Sequence, residues 1–259
     1  MKVVLTVLAV LASVLPSAAE VKTETVEYKQ GDVVLQGYLA YDAALSGKRP
    51  AVLVIHDWMG VSDDTRMRAE QLAALGYVAF AADIYGKGVR PTNSQEASTE
   101  AGKFSKDKPL LRSRARAGLD YLTGLSRVDV NRVAVMGYCF GGGAALELGR
   151  SGAPLKGIVT FHGSLATPTP ADAKNIKGKV LVLHGADDPY VKQDDVKAFM
   201  DEMRSAGVNW ELVEYGGAVH AFTIKGAGSD NSKGAAYNAQ ADRRSWQAMK
   251  EFFEEIFAQ

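Results

Sequence analysis

Short, mostly apolar runs recur along this chain, and stretches with helical spacing separate them. The runs are Ala51–Ile55, Tyr77–Ala82, Arg132–Met136, Gly157–His162, Lys179–His184 and Trp210–Tyr215. A strand covered on both faces is apolar throughout, whereas a half-exposed strand alternates. Between the runs, Ser62–Leu75, Pro109–Leu125, Gly141–Arg150, Gln193–Ala206 and Asp242–Phe257 are predicted helices. Ser62 is an acceptable cap for the first of these and Gly76 a stop. In the last, Trp246, Met249, Phe253 and Phe257 fall on one amphipathic face. Upstream, Val26–Tyr28 and Val33–Tyr41 flank Gln30-Gly31-Asp32, the signature of an antiparallel hairpin. Strands alternating with helices predict an α/β fold. We expect a mostly parallel sheet with helices on both faces and an N-terminal antiparallel hairpin.

The first nineteen residues stand apart. Lys2 gives a positive start, Val3–Leu15 is almost wholly apolar, and Pro16-Ser17-Ala18-Ala19 ends in small residues. That is the pattern of a cleaved export signal, and the apolar run is short for the ~20 residues of a membrane span. We therefore expect a signal peptide over residues 1–19. The mature domain then covers residues 20–259, is exported to the periplasm or secreted, and keeps no stable membrane span. At 259 residues, 47% hydrophobic and 23% charged, the chain suits one globular domain with a full core. Thirty Lys plus Arg balance thirty Asp plus Glu, so no charge field points to nucleic acid or a membrane surface. We expect a monomer.

Export makes the single cysteine, Cys139, informative. Exported chains usually contain cysteine in pairs, and one thiol cannot pair within its own chain. It is a buried apolar filler, an intermolecular link or a reactive group. Its surroundings favour the last. Gly137-Tyr138-Cys139-Phe140-Gly141 joins a predicted strand to a predicted helix and has the G-x-nucleophile-x-G form, with Cys in place of Ser. Such an elbow pushes the nucleophile clear of the sheet, and the glycines relieve the crowding on either side. The N-terminal end of the following helix favours a thiolate over a thiol.

In open α/β sheets, chemistry gathers at the carboxyl ends of the strands. His56-Asp57-Trp58, Asp83-Ile84-Tyr85, Tyr138-Cys139-Phe140 and Asp187-Asp188 all sit there. The chain order nucleophile, acid, histidine fits the elbow, with Asp187 or Asp188 as the acid. His220, in the glycine-containing loop after the last strand, is the favoured base. His162 and His184 compete with it but end apolar runs, where a hydrogen-bonded core histidine is the plainer reading.

Taken together, "VLVIHDWMGVSDDTRMRAEQLAALGYVAFAADIYG", "VAVMGYCFGGG", "VLHGADDPYV" and "HAF" resemble the dienelactone hydrolase family of α/β-hydrolases over essentially the whole mature length. The resemblance implies an α/β-hydrolase fold and a Cys-Asp-His triad, which falls on Cys139, Asp188 and His220. The family's D-x-x-V pattern selects Asp188 over Asp187, because Asp188-Pro189-Tyr190-Val191 fits it. It also implies an oxyanion hole from the backbone N–H groups of Trp58 and Phe140, and a pocket tyrosine at Tyr85. Where the family usually has a glutamate touching the resting thiol, this chain has Asp57, one methylene shorter.

The expected activity is hydrolysis of a small-molecule carboxylic ester or lactone through a thioester, with no metal and no cofactor. The glycines after Cys139 lack the Lys and Ser/Thr of a phosphate loop. Two other classes stay open: a catalytically silent hydrolase scaffold that binds, and a thiol redox protein, which normally needs a second cysteine. The family substrate carries a carboxylate. Arg90, Arg243 and Arg244 are candidate partners for it, and residues 226–237 are a candidate lid.

Overall fold

The computed structural model describes residues 19–258. The leader expected over residues 1–19 lies, apart from Ala19, outside them. Among the described residues, eight strands form one sheet. They are β1 (Val21–Gln30), β2 (Val33–Asp42), β3 (Arg49–Ile55), β4 (Val78–Ala82), β5 (Val128–Tyr138), β6 (Gly157–Phe161), β7 (Lys179–Gly185) and β8 (Trp210–Tyr215). Their order across the sheet is β1-β2-β4-β3-β5-β6-β7-β8. β1 and β2 pair as the expected antiparallel hairpin, and β2 also runs antiparallel to β4. Every other neighbouring pair is parallel.

Among the described residues, six α-helices connect and cover this sheet: α1 (Asp63–Ala74), α2 (Ser94–Lys106), α3 (Lys108–Thr123), α4 (Phe140–Arg150), α5 (Gln193–Ala206) and α6 (Ala239–Phe257). Along β3 the side chains divide strictly. Ala51, Leu53 and Ile55 join one core with residues of α3, α4 and α5, while Val52 and Val54 join the other with residues of α1 and α6. That division is why the strand reads as solidly apolar: both faces are dry.

The predicted ends agree to within a few residues, and the caps explain them. Ser62 caps α1 through its side chain, and Gly207 closes α5 in a left-handed conformation. One helix was absent from the sequence reading. α2 buries only Ala97 and Phe104 and is otherwise polar, so it carries almost no apolar period. Its start is set by Asn93, whose side chain accepts the Glu96 N–H. Among the described residues no helix is long and apolar enough to cross a membrane.

Candidate active site

The elbow takes the form the sequence predicts. β5 ends at Tyr138, α4 starts at Phe140, and Cys139 between them holds φ 53° and ψ −116°. The glycines are needed for space. A Cβ on Gly137 would lie 2.0 Å from the Gly141 carbonyl oxygen, and one on Gly141 would lie 2.2 Å from that of Ile55. Both obstacles are backbone and cannot swing aside. Cys139 is half-buried and unpaired.

His220 comes to this sulfur from the loop after β8. Its Nε2 lies 3.1 Å from Cys139 Sγ, and its Nδ1 lies 2.8 Å from Asp188 Oδ2. Asp188 follows β7, and its other oxygen accepts the Tyr190 N–H at 2.8 Å, which aims the carboxylate at the histidine. Asp187 turns away, and its Oδ2 accepts the Gly217 N–H at 3.0 Å. Burial alone would lower the His220 pKa. The bonds to Asp188 and Cys139 outweigh it and push that value up to about 10.

The backbone around His220 is held on several sides. Its N–H donates to the Gly234 carbonyl, and its own carbonyl accepts the Ala236 N–H. Tyr190 Oη donates to the Lys233 carbonyl at 3.2 Å, and Asn231 Nδ2 to that of Gly217 at 3.0 Å. The segment 226–237 is thus stitched to the loop bearing the histidine.

Asp57 lies between the end of β3 and the start of α1, buried. Its Oδ1 accepts the Met59 N–H at 2.8 Å, so the carboxylate folds into its own loop. Burial raises its pKa to about 6, against the Met59 bond. The loop is pinned from below by His56: its Nε2 accepts the Ile84 N–H at 3.1 Å, which leaves Nδ1–H to donate to the Asp57 carbonyl at 2.5 Å. Burial lowers the His56 pKa to about 4 and keeps the ring neutral. The Trp58 side chain is exposed, and its carbonyl accepts the Tyr85 hydroxyl at 2.9 Å. Tyr85 is buried among His56, Phe104 and Phe140, and burial first, then the nearby Asp57 and Cys139, raises its pKa. The N–H groups of Trp58 and Phe140 donate to no described residue. That of Phe140 opens α4, where helical N–H groups have no partner within the helix.

Of the candidate arginines for a substrate carboxylate, Arg90 is engaged by the protein itself. Arg90 Nη1 donates to the Val89 carbonyl at 2.7 Å, its Nη2 to that of Gln36 at 3.0 Å, and Asp83 lies 3.6 Å away. Arg243 and Arg244 lie on α6, and both are exposed. The competing histidines are buried, as expected, but differently bonded. His162 Nε2 lies 2.8 Å from Thr223 Oγ1, whereas neither ring nitrogen of His184 has a partner. Arg68 went unnoticed in the sequence because a lone arginine on a helix carries no signal. It is buried on α1, and its Nη2 donates to the Thr223 carbonyl at 3.1 Å and to Asp242 Oδ1 at 2.6 Å. Among the described residues, no three His, Cys, Asp or Glu side chains are grouped as metal ligands.

An eight-stranded, mostly parallel sheet with its second strand antiparallel, and a residue held at a tight strand-to-helix corner, define an α/β-hydrolase-like protein. Residues 35–257 match the model of the dienelactone hydrolase family, and the chain belongs to that family. A Synechocystis protein provisionally named carboxymethylenebutenolidase is 29% identical, over 91% of this chain and 97% of its own. A solved structure of P91, described as a dienelactone hydrolase-like promiscuous phosphotriesterase from metagenomic libraries, is 43% identical. It superposes with a TM-score of 0.88, over 92% of this chain and 99% of its own. A second structure, m3DLH, is 41% identical with the same TM-score and coverage.

Proposed function

We propose that this chain hydrolyses a small carboxylic ester or lactone by way of a thioester on Cys139. The observation that carries the reading is the unbroken line from Cys139 Sγ to His220 Nε2 (3.1 Å) and from His220 Nδ1 to Asp188 Oδ2 (2.8 Å). With its pKa pushed up to about 10, His220 rests as an imidazolium beside the sulfur, placed to exchange a proton with the reacting groups. Asp188 fixes which nitrogen faces the sulfur and offsets the charge of the ring.

The thiolate attacks the carbonyl carbon and the carbonyl π electrons move to oxygen. The N–H groups of Trp58 and Phe140 are suited to receive that oxyanion, being unengaged, and Phe140 directly follows Cys139 in the chain. Collapse expels the alkoxide or enolate, which takes the proton from His220 Nε2. A water then gives its proton to His220 while its oxygen attacks the thioester, and the thiolate leaves. Activated esters and strained lactones suit this nucleophile, because a thiolate is itself expelled when the competing leaving group is poor.

The likeness to P91 supports a second electrophile, a phosphotriester, at the same thiol. The leader-like residues 1–19 support export, with the mature chain acting as a monomer in the periplasm or outside the cell.

The deciding test compares 4-nitrophenyl acetate and a dienelactone as substrates for wild type and Cys139→Ala. Turnover lost in the variant is expected. Equal turnover by both proteins would remove Cys139 from the chemistry.

A further inference from the structure

Three non-glycine residues among those described have positive φ: Cys139 at 53°, His162 at 40° and Ala221 at 56°. All three meet at one place. Cys139 and Ala221 are the nucleophile and the neighbour of His220, and the ring of His162 lies edge-on to that of His220, centroids 5.2 Å apart. Backbone held in this region is costly for a side chain with a Cβ and persists where its surroundings enforce it. His162 carries a second cost, since its ring is fully buried and its Nδ1 has no partner.

His162 also has a fixed orientation. Its Nε2 lies 2.8 Å from Thr223 Oγ1, and its ring packs edge-on to Phe222 at 5.1 Å. Thr223 is gripped again through its backbone, where Arg68 Nη2 donates to the carbonyl at 3.1 Å. The same nitrogen holds Asp242 at 2.6 Å, so the grip extends from α1 to α6. Phe222-Thr223, just after His220-Ala221, is therefore fixed from the side-chain direction and from the main-chain direction.

We propose that His162 is a positioning residue for His220, held in place by Thr223 and Arg68; the proposal rests on His220 being the base. The two bonds of His220 run to opposite ends of its ring, and rotation of the ring would break both. The edge of His162 blocks that rotation while the proton moves from Nε2 to the leaving group and back. His162 performs this only as a neutral ring, because a second cation at this distance would repel the imidazolium. Burial first, then the charge on His220, holds its pKa well below the ordinary value.

The test uses Thr223→Val, Thr223→Ser and His162→Ala in the full chain. Two readouts are taken: kcat and KM on 4-nitrophenyl acetate, and the rate at which iodoacetamide alkylates Cys139 at pH 7. Thr223→Val keeps the shape and the carbonyl that Arg68 holds, so the fold is retained. We expect Thr223→Val and His162→Ala to lower kcat about tenfold with KM within about twofold, and to slow alkylation about fivefold. Thr223→Ser returns both readouts to near wild type. Wild-type kcat and alkylation in both Thr223→Val and His162→Ala overturn the proposal, and so does a Thr223→Ser protein as impaired as Thr223→Val. If wild type turns over no ester, the hydrolase reading falls, and alkylation alone still decides this one.

Discussion

Asp57 Oδ1 accepts the backbone N–H of Met59 at 2.8 Å, so the carboxylate next to the candidate oxyanion donor closes its own loop. A longer glutamate would span the loop differently. The shorter side chain spends one oxygen on local structure. Burial lifts the folded pKa to about 6, above its ordinary value, so the native state holds this proton over a range where the unfolded chain releases it. The stability it contributes is full below about pH 4 and is lost as pH rises through about 6. The side-chain amide of an Asp57→Asn variant accepts the same N–H and has no proton to lose. We expect the variant to be more stable than wild type at pH 7.5 by on the order of 2 kcal/mol, with the gain vanishing near pH 4. Urea midpoints at both pH values measure it.

His220 titrates with the same sign and in a higher window. Its folded pKa of about 10 exceeds the unfolded value of 6.5, so the stability it contributes is complete below pH 6.5 and is lost as pH rises through about 10. Wild type is expected to lose more stability between pH 7 and pH 10 than His220→Gln, which has no proton to give up. Thermal midpoints of both proteins across that range settle the sign.

Asp188 serves three partners at once, His220 Nδ1 through Oδ2 and the Tyr190 and Val191 N–H groups through Oδ1. An Asp188→Asn side chain keeps the Oδ1 bonds and turns an NH₂ group toward the ring, which reverses the favoured tautomer. kcat is expected to fall by about 10²- to 10⁴-fold with little change in melting temperature. A fall in melting temperature matching the loss of rate would point to a structural role instead.

Arg150 on α4 is fully buried between Glu147, at 3.1 Å, and Glu202, at 2.7 Å. Arg150→Met leaves the buried Glu202 carboxylate without its cation, while Glu147 keeps Arg112 at 2.8 Å. We expect a loss of about 3–5 kcal/mol, and substantial recovery when Glu202 is replaced by an apolar residue as well. Denaturant unfolding of the single and double variants reads it directly.

At the elbow the expectation is harsher. Gly141→Ala places its Cβ 2.2 Å from the Ile55 carbonyl oxygen, and the clash cannot be relieved without moving β3 or α4. We expect a loss of at least about 4 kcal/mol or no soluble protein, seen in expression and circular dichroism.

Much of this fold was legible because burial leaves a period-free apolar run for each covered strand. α5 and β8 were bounded at the predicted residues, since the left-handed Gly207 ends the helix and Trp210, Leu212, Val213 and Tyr215 mark the strand. α2 was not, because two buried residues in thirteen leave no period to detect. Asp188 and Asp187 could not be told apart by spacing, for adjacent side chains differ only in direction. That direction is set by the Tyr190 and Gly217 N–H groups, which are tertiary facts. Arg90 shows the reverse limit: its charge was visible, but the carbonyls of Gln36 and Val89 that occupy it were not. Likewise His184 sits in the core as expected, yet without the hydrogen bonds that usually accompany such a position.

Cys139 and His220 are 81 residues apart in the chain, and all eight strands precede the histidine. Local structure cannot bring the two side chains together; they meet only through the finished sheet and the loop that follows it, which Arg68 fastens to α6 through Asp242.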